Sequence, residues 1–166
     1  ERIKDQETDG IEAEVLYSQS TVGIDGGPLY SIGDHAARVA CFRAYNDTLA
    51  EWIQAAPKRL IPVGVIPIAD IEEGVNEVGR LAKLGFRAAV VPSYPNLLGL
   101  PYFWDDRYQP LWRACAEHHI PLSLHTGITP GLVPILEADP TSAKAVFQSL
   151  PPIFMAELVS TFILGG

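Results

Sequence analysis

The connections between the predicted strands and helices constrain this fold most, because they are short at one end of each strand and long at the other. Apolar runs alternate with helical periodicities along the chain, which is typical of an α/β fold with a parallel sheet. The helix-to-strand connections are tight, at residues 57–59, 85–87 and 119–120, whereas the strand-to-helix connections at 18–33, 92–105 and 126–140 are long. Strand-to-helix loops gather at the C-terminal edge of a parallel sheet, where sites are built, so this edge is enlarged.

Four strands are predicted, at residues 14–17, 60–66, 88–91 and 121–125, and the second is apolar enough to be buried on both faces. Helices are predicted at residues 34–56, 107–118, 141–150 and 153–164, with a further one opening at Asp70 and closed by Gly85. A closed (β/α)8 barrel has eight strands and takes about 250 residues. We therefore predict an α/β chain that forms a partial (β/α)8 barrel of about four βα units, in a single domain over residues 1–166.

The predicted helices carry start signals and apolar stripes. Asp34 is the expected N-cap of the long helix, and Asp70 with Glu73 forms a capping box. Two stripes recur at helical spacing: Phe42, Tyr45, Leu49 and Ile53, and Ile71, Val75, Val78 and Ala82. In the helix that opens at Asp70, four carboxylates are expected to form a solvated face: Asp70, Glu72, Glu73 and Glu77.

Charge and composition exclude several classes of partner. The formal net charge of -8 argues against nucleic acid and anionic membranes, since both need a basic patch. No apolar run approaches the roughly 18 residues that cross a bilayer. Cys41 and Cys115 both fall in predicted helices without metal-binding neighbours, so we expect buried, reduced thiols in a cytoplasmic protein. The start at Glu1 without methionine and the end at Gly165-Gly166 suggest a segment of a longer protein.

His125 is the candidate metal ligand, because it ends the fourth predicted strand and enters a Thr-Gly turn. Neutral imidazole is the commonest metal ligand, and polar residues at strand ends of α/β barrels are usually functional. The alternative is a histidine satisfied by hydrogen bonds at the sheet edge. His118 and His119 are better explained as helix C-terminal caps, and His35 as a solvated residue of a first helical turn.

The loop from Tyr94 to Trp104 is rich in aromatic residues and proline, which suggests a fixed conformation. It could form the wall of a substrate pocket, or pack across a barrel mouth or an oligomer interface. Tyr94, Trp104 and Thr126 are the candidate substrate-binding residues. No HxH, HExxH, paired-cysteine, nucleophile-elbow or phosphate-loop motif is present, so the chain cannot complete a metal site from recognisable ligands.

Several motifs, in order, resemble the amidohydrolase-2 family, which includes aminocarboxymuconate-semialdehyde decarboxylase and the resorcylate-type decarboxylases. They are DGIEAEVLY at 9–17, YND at 45–47, PKRLIPV at 57–63, PIAD at 67–70, LGFR at 84–87, DRYxPLW at 106–112 and PLSLHTG at 121–127. The resemblance implies a distorted (β/α)8 barrel that holds one divalent metal, with zinc expected ahead of manganese. The family's ligands are an HxH pair, a middle-strand histidine and a late aspartate, with a further histidine as acid/base. Only the middle-strand histidine has a match here, at His125.

The resemblance places the HxH pair before Glu1, and the acid/base histidine and the aspartate after Gly166. It therefore implies a parent enzyme that decarboxylates or hydrolyses a small organic or aromatic acid. We also expect a homo-oligomer, as a dimer, and the net charge predicts no nucleic-acid or membrane partner. The alternative is an inactive scaffold fragment whose exposed sheet edges pair with another chain.

Overall fold

The computed structural model of the chain describes residues 1–18, 23, 25–125 and 151–164. These residues divide between two compact units. The first unit comprises residues 1–92 and 109–124, and the second comprises residues 93–108 and the chain from 125 onward.

The first unit contains a four-stranded parallel sheet, which confirms the predicted partial (β/α)8 barrel. Its strands are β1 (Glu14–Leu16), β2 (Leu60–Val65), β3 (Ala88–Val91) and β4 (Leu122–Leu124), in the order β1-β2-β3-β4. Glu14 pairs with Leu60, Val63 with Ala88, and Ala89 with Leu122. Sequential order with parallel pairing means that every connection crosses back over the sheet, as in a (β/α) barrel.

The described helices of the chain are α1 (Arg2–Asp9), α2 (His35–Trp52), α3 (Ile71–Lys83), α4 (Gln109–Glu117) and α5 (Pro151–Leu164). Short 3-10 turns precede α2 at Gly27–Ser31 and follow it at Ile53–Ala55. The predicted helix at 141–150 lies outside the described residues. No described helix has the length and apolar character needed to cross a membrane.

The sheet is strongly curved, as a bond between its two outer strands demonstrates. The hydroxyls of Tyr17, just after β1, and Ser123, in β4, lie 2.7 Å apart. Neighbouring strands are spaced by about 4.8 Å, so in a flat sheet β1 and β4 would be roughly 14 Å apart. A tyrosine and a serine side chain together are too short to span that distance, so they meet on the concave face of a curved sheet.

The core of the first unit lies between α2 and the middle strands. Phe42, Val63, Val65 and Val90 are fully buried and pack together. The predicted α2 stripe is confirmed, since Phe42, Leu49 and Ile53 are buried and Tyr45 is half-buried. Burial of four such side chains contributes on the order of 1.5–3 kcal/mol each.

The helices begin at the predicted caps. The Asp34 carboxylate accepts a hydrogen bond from the backbone N–H of Ala37 at 2.7 Å, and Asp70 accepts one from Glu73 at 3.1 Å. The bond from Glu73 and a contact with His35 lower the pKa of the Asp70 carboxyl. Gly85 ends α3 at φ 87°, which confirms its predicted role as the C′ glycine.

Helix α1 was not predicted from the sequence. Its residues are almost all polar, so no apolar stripe marks it, and Gly10 ends it in the left-handed conformation. Ion pairs hold it: Arg2 pairs with Glu14, and Arg59 pairs with Glu7 at 3.2 Å. Arg59 also donates to the backbone carbonyls of Ile11 and Glu12, each at 3.0 Å, and so fastens the α1–β1 connection to the start of β2.

The predicted solvated face of α3 is wrong at Glu77, which is 1% exposed. Its carboxylate accepts hydrogen bonds from Asn46 at 2.6 Å and from the Arg80 guanidinium at 2.7 and 2.8 Å. Asn46 also donates to the carbonyl of Val65 and accepts from its N–H, so one amide ties α2 to both α3 and β2. These bonds to Glu77 raise the pKa of Arg80.

The predicted α3 stripe is also displaced. The buried residues are Gly74, Glu77, Val78 and Leu81, whereas Ile71, Val75 and Ala82 are only half-buried. Leu81 packs so closely on Gly64 of β2 that a Cβ there would lie 2.6 Å from its methyl groups. The close approach of α3 to β2 therefore requires a glycine in the strand.

The two cysteines differ, and the prediction that both are buried is wrong for Cys41. Cys115 of α4 is buried, and burial raises the pKa of its thiol to about 11. Cys41 lies on the exposed side of α2. Both thiols are free.

The second unit is built from the loop after β3 and from α5. The loop contains a 3-10 turn at Pro95–Leu98 and a second at Asp106–Tyr108. Phe103 is buried between Tyr108, at 5.3 Å between ring centroids, and Phe162 of α5, at 5.1 Å. The Tyr108 hydroxyl donates to the carbonyl of Pro101 at 2.9 Å, which closes the loop on itself.

Candidate metal and substrate site

His125 directly follows β4, as predicted, and its side chain is exposed. The buried Ser93 hydroxyl donates a 2.5 Å hydrogen bond to the backbone carbonyl of His125. Ser93 lies two residues beyond the end of β3, so a side chain from one strand end fixes the main chain at the next. The imidazole itself is left accessible on a fixed backbone, which suits a ligand.

A metal ion near His125 would need further ligands close to it. Within residues 1–18, 25–125 and 152–164, no three histidine, cysteine, aspartate or glutamate side chains lie together as a potential metal site. His125 therefore supplies one chemically suitable nitrogen, whereas a catalytic zinc site typically has three protein ligands. A complete coordination sphere needs donors beyond this part of the chain.

Tyr94 and Trp104, the predicted substrate-binding residues, lie in the same loop but in different settings. The Tyr94 hydroxyl donates to the carbonyl of Phe154 at 3.4 Å, and burial, helped by the Glu157 carboxylate, raises its pKa. Trp104 is 47% exposed and stacks on Tyr102 with ring centroids 4.2 Å apart. Thr126 lies outside the described residues.

Trp104 also borders a shallow depression of about 470 Å³ that α5 completes with Glu157, Ser160, Thr161 and Leu164. The hydroxyls of Ser160 and Thr161 donate to helix carbonyls, each at 2.7 Å. The loop is thus held to α5 through its buried residues and presents Trp104 at its surface. Both interpretations of the loop, as a pocket wall and as a packing surface, stay predictions.

The remaining histidines lie at the ends of helices. His35 lies in the first turn of α2 and its Nε2 is 3.2 Å from the Asp70 carboxylate. His119 adopts the left-handed conformation, with φ 55°, just after α4. Its N–H bonds to the carbonyl of Ala116, and the N–H of Ile120 bonds to Cys115, so the backbone of His119 closes the helix with a Schellman motif.

Three hydroxyl residues near strand ends were missed in the sequence: Tyr17, Ser93 and Ser123. The sequence does carry a signal for one of them. Leu122, Ser123, Leu124 and His125 alternate apolar and polar, which is the pattern of a strand with one polar face. Ser93 follows β3 in an irregular loop, where no periodicity marks it. Tyr17 ends the strand predicted at 14–17, next to two apolar residues, so the sequence does not set its hydroxyl apart.

A profile of the amidohydrolase family, of the amidohydrolase-2 type, matches residues 28–159. The chain belongs to the amidohydrolase-2 family. The match spans all the strands after β1 and includes His125. No curated protein matches the sequence significantly.

Among solved structures, this amidohydrolase-2 chain is similar to 2,6-dihydroxybenzoate decarboxylase from Rhizobium, at 25% identity and a TM-score of 0.68, covering 85% of this chain and 43% of that one. It is similar to 5-carboxyvanillate decarboxylase from Novosphingobium aromaticivorans, at 28% identity and a TM-score of 0.68, covering 82% and 38%. That structure contains manganese and 3-methoxy-4-hydroxy-5-nitrobenzoic acid.

A third similar structure is dihydroxybenzoic acid decarboxylase from a Polaromonas species, with manganese and the inhibitor 2-nitroresorcinol. Its identity is 25%, its TM-score 0.68, and the match covers 85% of this chain and 42% of that one. This amidohydrolase-2 chain therefore spans less than half the length of each of these enzymes.

Proposed function

We propose that the protein containing this chain is a metal-dependent decarboxylase of small aromatic carboxylic acids. The observation that carries the proposal is the accessible imidazole of His125, directly after β4, on a main chain fixed by Ser93. Membership of the amidohydrolase-2 family and the likeness to three aromatic-acid decarboxylases support the choice of reaction.

His125 would be one ligand of a divalent metal ion, with the other ligands outside the described residues. Two of the three similar enzymes contain manganese, which supports manganese as the first ion to test, with zinc as the alternative. Such an ion would hold and polarise the substrate.

In the proposed reaction a proton adds to the ring carbon that bears the carboxylate. The bond between that carbon and the carboxylate then breaks, its electron pair stays with the ring, and CO2 leaves. No water is consumed, whereas an amidohydrolase adds water across a C–N or C–O bond. Measurement of CO2 against hydrolytic products therefore separates the two reactions.

The test uses the full-length protein and the variant His125→Ala. We expect the wild-type protein to hold a divalent metal and to release CO2 from hydroxybenzoates, and the variant to lose most of its metal and activity. Metal content is measured by plasma mass spectrometry. His118→Ala is the matched control, since His118 is exposed at the end of α4. Full metal occupancy in His125→Ala would exclude the ligand role, and hydrolysis without CO2 would exclude the decarboxylase.

A further inference from the structure

The hydroxyls of Tyr17 and Ser123 form a polar pair on the concave face of the sheet, in a part of the first unit that the proposed mechanism does not use. Their oxygens are 2.7 Å apart, and either can be the donor. Tyr17 is 38% exposed, and Ser123 is half-buried. The pair is therefore open to a ligand that enters from the concave side.

The segment after β1 turns Tyr17 towards this face. Val15 and Tyr17 are exposed, whereas Leu16 and Ser18 are buried, as strand alternation requires. Ser18 is 1% exposed and hydrogen bonds to Tyr45 of α2. Because Ser18 is bonded to α2, the backbone next to Tyr17 is held in place, and the Tyr17 ring lies over the concave face of the sheet.

The chemistry of the pair selects an oxygen-rich, acidic ligand. Two hydroxyls carry two protons, and only one of them is used in the bond between them. The other proton is free to donate, and neither hydroxyl brings a charge. A carboxylate or a phenol oxygen accepts such a bond well, and bonds to charged acceptors are about twice as strong as those between neutral groups.

The position on the chain agrees with a binding role. Tyr17 is the first residue after β1, at the C-terminal edge of the sheet where α/β barrels bind ligands. Ser123 lies in β4, so the pair joins the end of β1 to the outer strand on the other side of the sheet.

We propose that Tyr17 is a substrate-binding residue that hydrogen bonds to a carboxylate or phenol oxygen of an aromatic acid, and that Ser123 is the positioning residue that holds its hydroxyl. This inference rests on the proposed function for the class of substrate. A merely structural bond between β1 and β4 is the alternative, and the two roles make different predictions for stability and affinity.

The experiment measures binding of 2,6-dihydroxybenzoate to the full-length protein by calorimetry, together with thermal unfolding. Tyr17→Phe keeps the ring and removes the hydroxyl, so we expect Kd to rise roughly tenfold or more with little change in Tm. Ser123→Ala should raise Kd less, and Ser123→Thr, which keeps a hydroxyl, should restore it. Thr48→Val is the matched control, since the exposed Thr48 hydroxyl donates only to the carbonyl of Ala44 within α2, and it should leave Kd unchanged.

The outcomes separate this inference from the proposed function. Unchanged affinity in Tyr17→Phe, with CO2 release intact, would overturn the role of Tyr17 and leave the decarboxylase standing. A rise in Kd for Tyr17→Phe, in a protein that binds the acid but releases no CO2, would support Tyr17 and contradict the decarboxylase. A lower Tm with unchanged Kd would assign the pair to structure. A wild-type protein that binds no aromatic acid would contradict both.

Discussion

At the scale of single residues, Glu77 contributes to the stability of the first unit through a buried hydrogen-bond network. It joins Asn46 of α2 to Arg80 of α3 in a place with almost no access to water. A buried carboxylate persists only when its oxygens are paired and hydrogen bonded, and here both oxygens accept bonds. The burial of the Glu77 carboxylate therefore requires the bonds from Asn46 and Arg80, and both side chains lose a partner when Glu77 is removed.

Removal of Glu77 should be costly. In Glu77→Ala the Asn46 amide loses one acceptor and the Arg80 guanidinium loses its buried partner, so we expect the free energy of unfolding to fall by about 3–5 kcal/mol. Urea denaturation followed by circular dichroism measures the change. Glu72→Ala, exposed on the same helix, is the control and should change stability by less than about 0.5 kcal/mol. Equal effects of the two substitutions would show that the network contributes nothing specific.

At the scale of secondary-structure elements, α3 and α4 end with the same backbone motif but different residues. Gly85 occupies the left-handed position after α3, and His119 occupies it after α4. In both motifs the next N–H bonds back to the helix, from Phe86 to Leu81 and from Ile120 to Cys115. A left-handed conformation costs a residue with a Cβ roughly 1–2 kcal/mol, whereas glycine adopts it freely.

The two positions give opposite predictions. Gly85→Ala should destabilise the protein by about 1 kcal/mol through backbone strain alone, since a Cβ there would meet no atom within 4 Å. His119→Gly should stabilise it by about 0.5–1 kcal/mol. Thermal and urea unfolding of the two variants, against the wild-type chain, measure both changes. A destabilised His119→Gly would mean that the imidazole makes a contact worth more than the strain.

The elements also show what the sequence could predict. All four strands, α2, α3 and α4 follow from apolar runs, caps and the terminal glycine, because these signals are local. Helix α1 has no apolar face and is held by Arg2 and Arg59, whose partners are distant in sequence. The burial of Glu77 and the exposure of Cys41 depend on which helix face meets a neighbour, and residue type does not encode that. His125 stands out in the sequence as a candidate ligand because a polar residue ends an apolar strand, whereas the contact from Ser93 becomes visible only in the fold.

At the scale of the whole molecule, the exposed apolar surface predicts self-association. In the described part of the chain, β1 and β4 each have one unpaired edge. The end of α5 exposes Ile163 at 71% and Leu164 at 83%. Unpaired strand edges and clustered apolar side chains are the usual surfaces on which a second copy binds.

We therefore propose that the 166-residue chain forms homo-oligomers, with a dimer as the first species. Sedimentation velocity at several concentrations should show a mass that rises with concentration. The double variant Ile163→Lys with Leu164→Lys should weaken association at least tenfold, because each apolar side chain contributes on the order of 1.5–3 kcal/mol when buried. Thr48→Lys, on the exposed polar side of α2, is the control. A monomer at every concentration would contradict the proposal.

The hydrogen bonds from Arg59 to the carbonyls of Ile11 and Glu12 have an evolutionary consequence. Main-chain oxygens are present whatever the side chain, so substitutions at positions 11 and 12 keep the bonds that join the α1–β1 connection to the start of β2. On the concave face of the same sheet, Tyr17 and Ser123 meet through side chains that are specific to each position. Related proteins can thus change the side chains on the concave face of the sheet while the bonds from Arg59 to main-chain oxygens continue to hold the start of β2 in place.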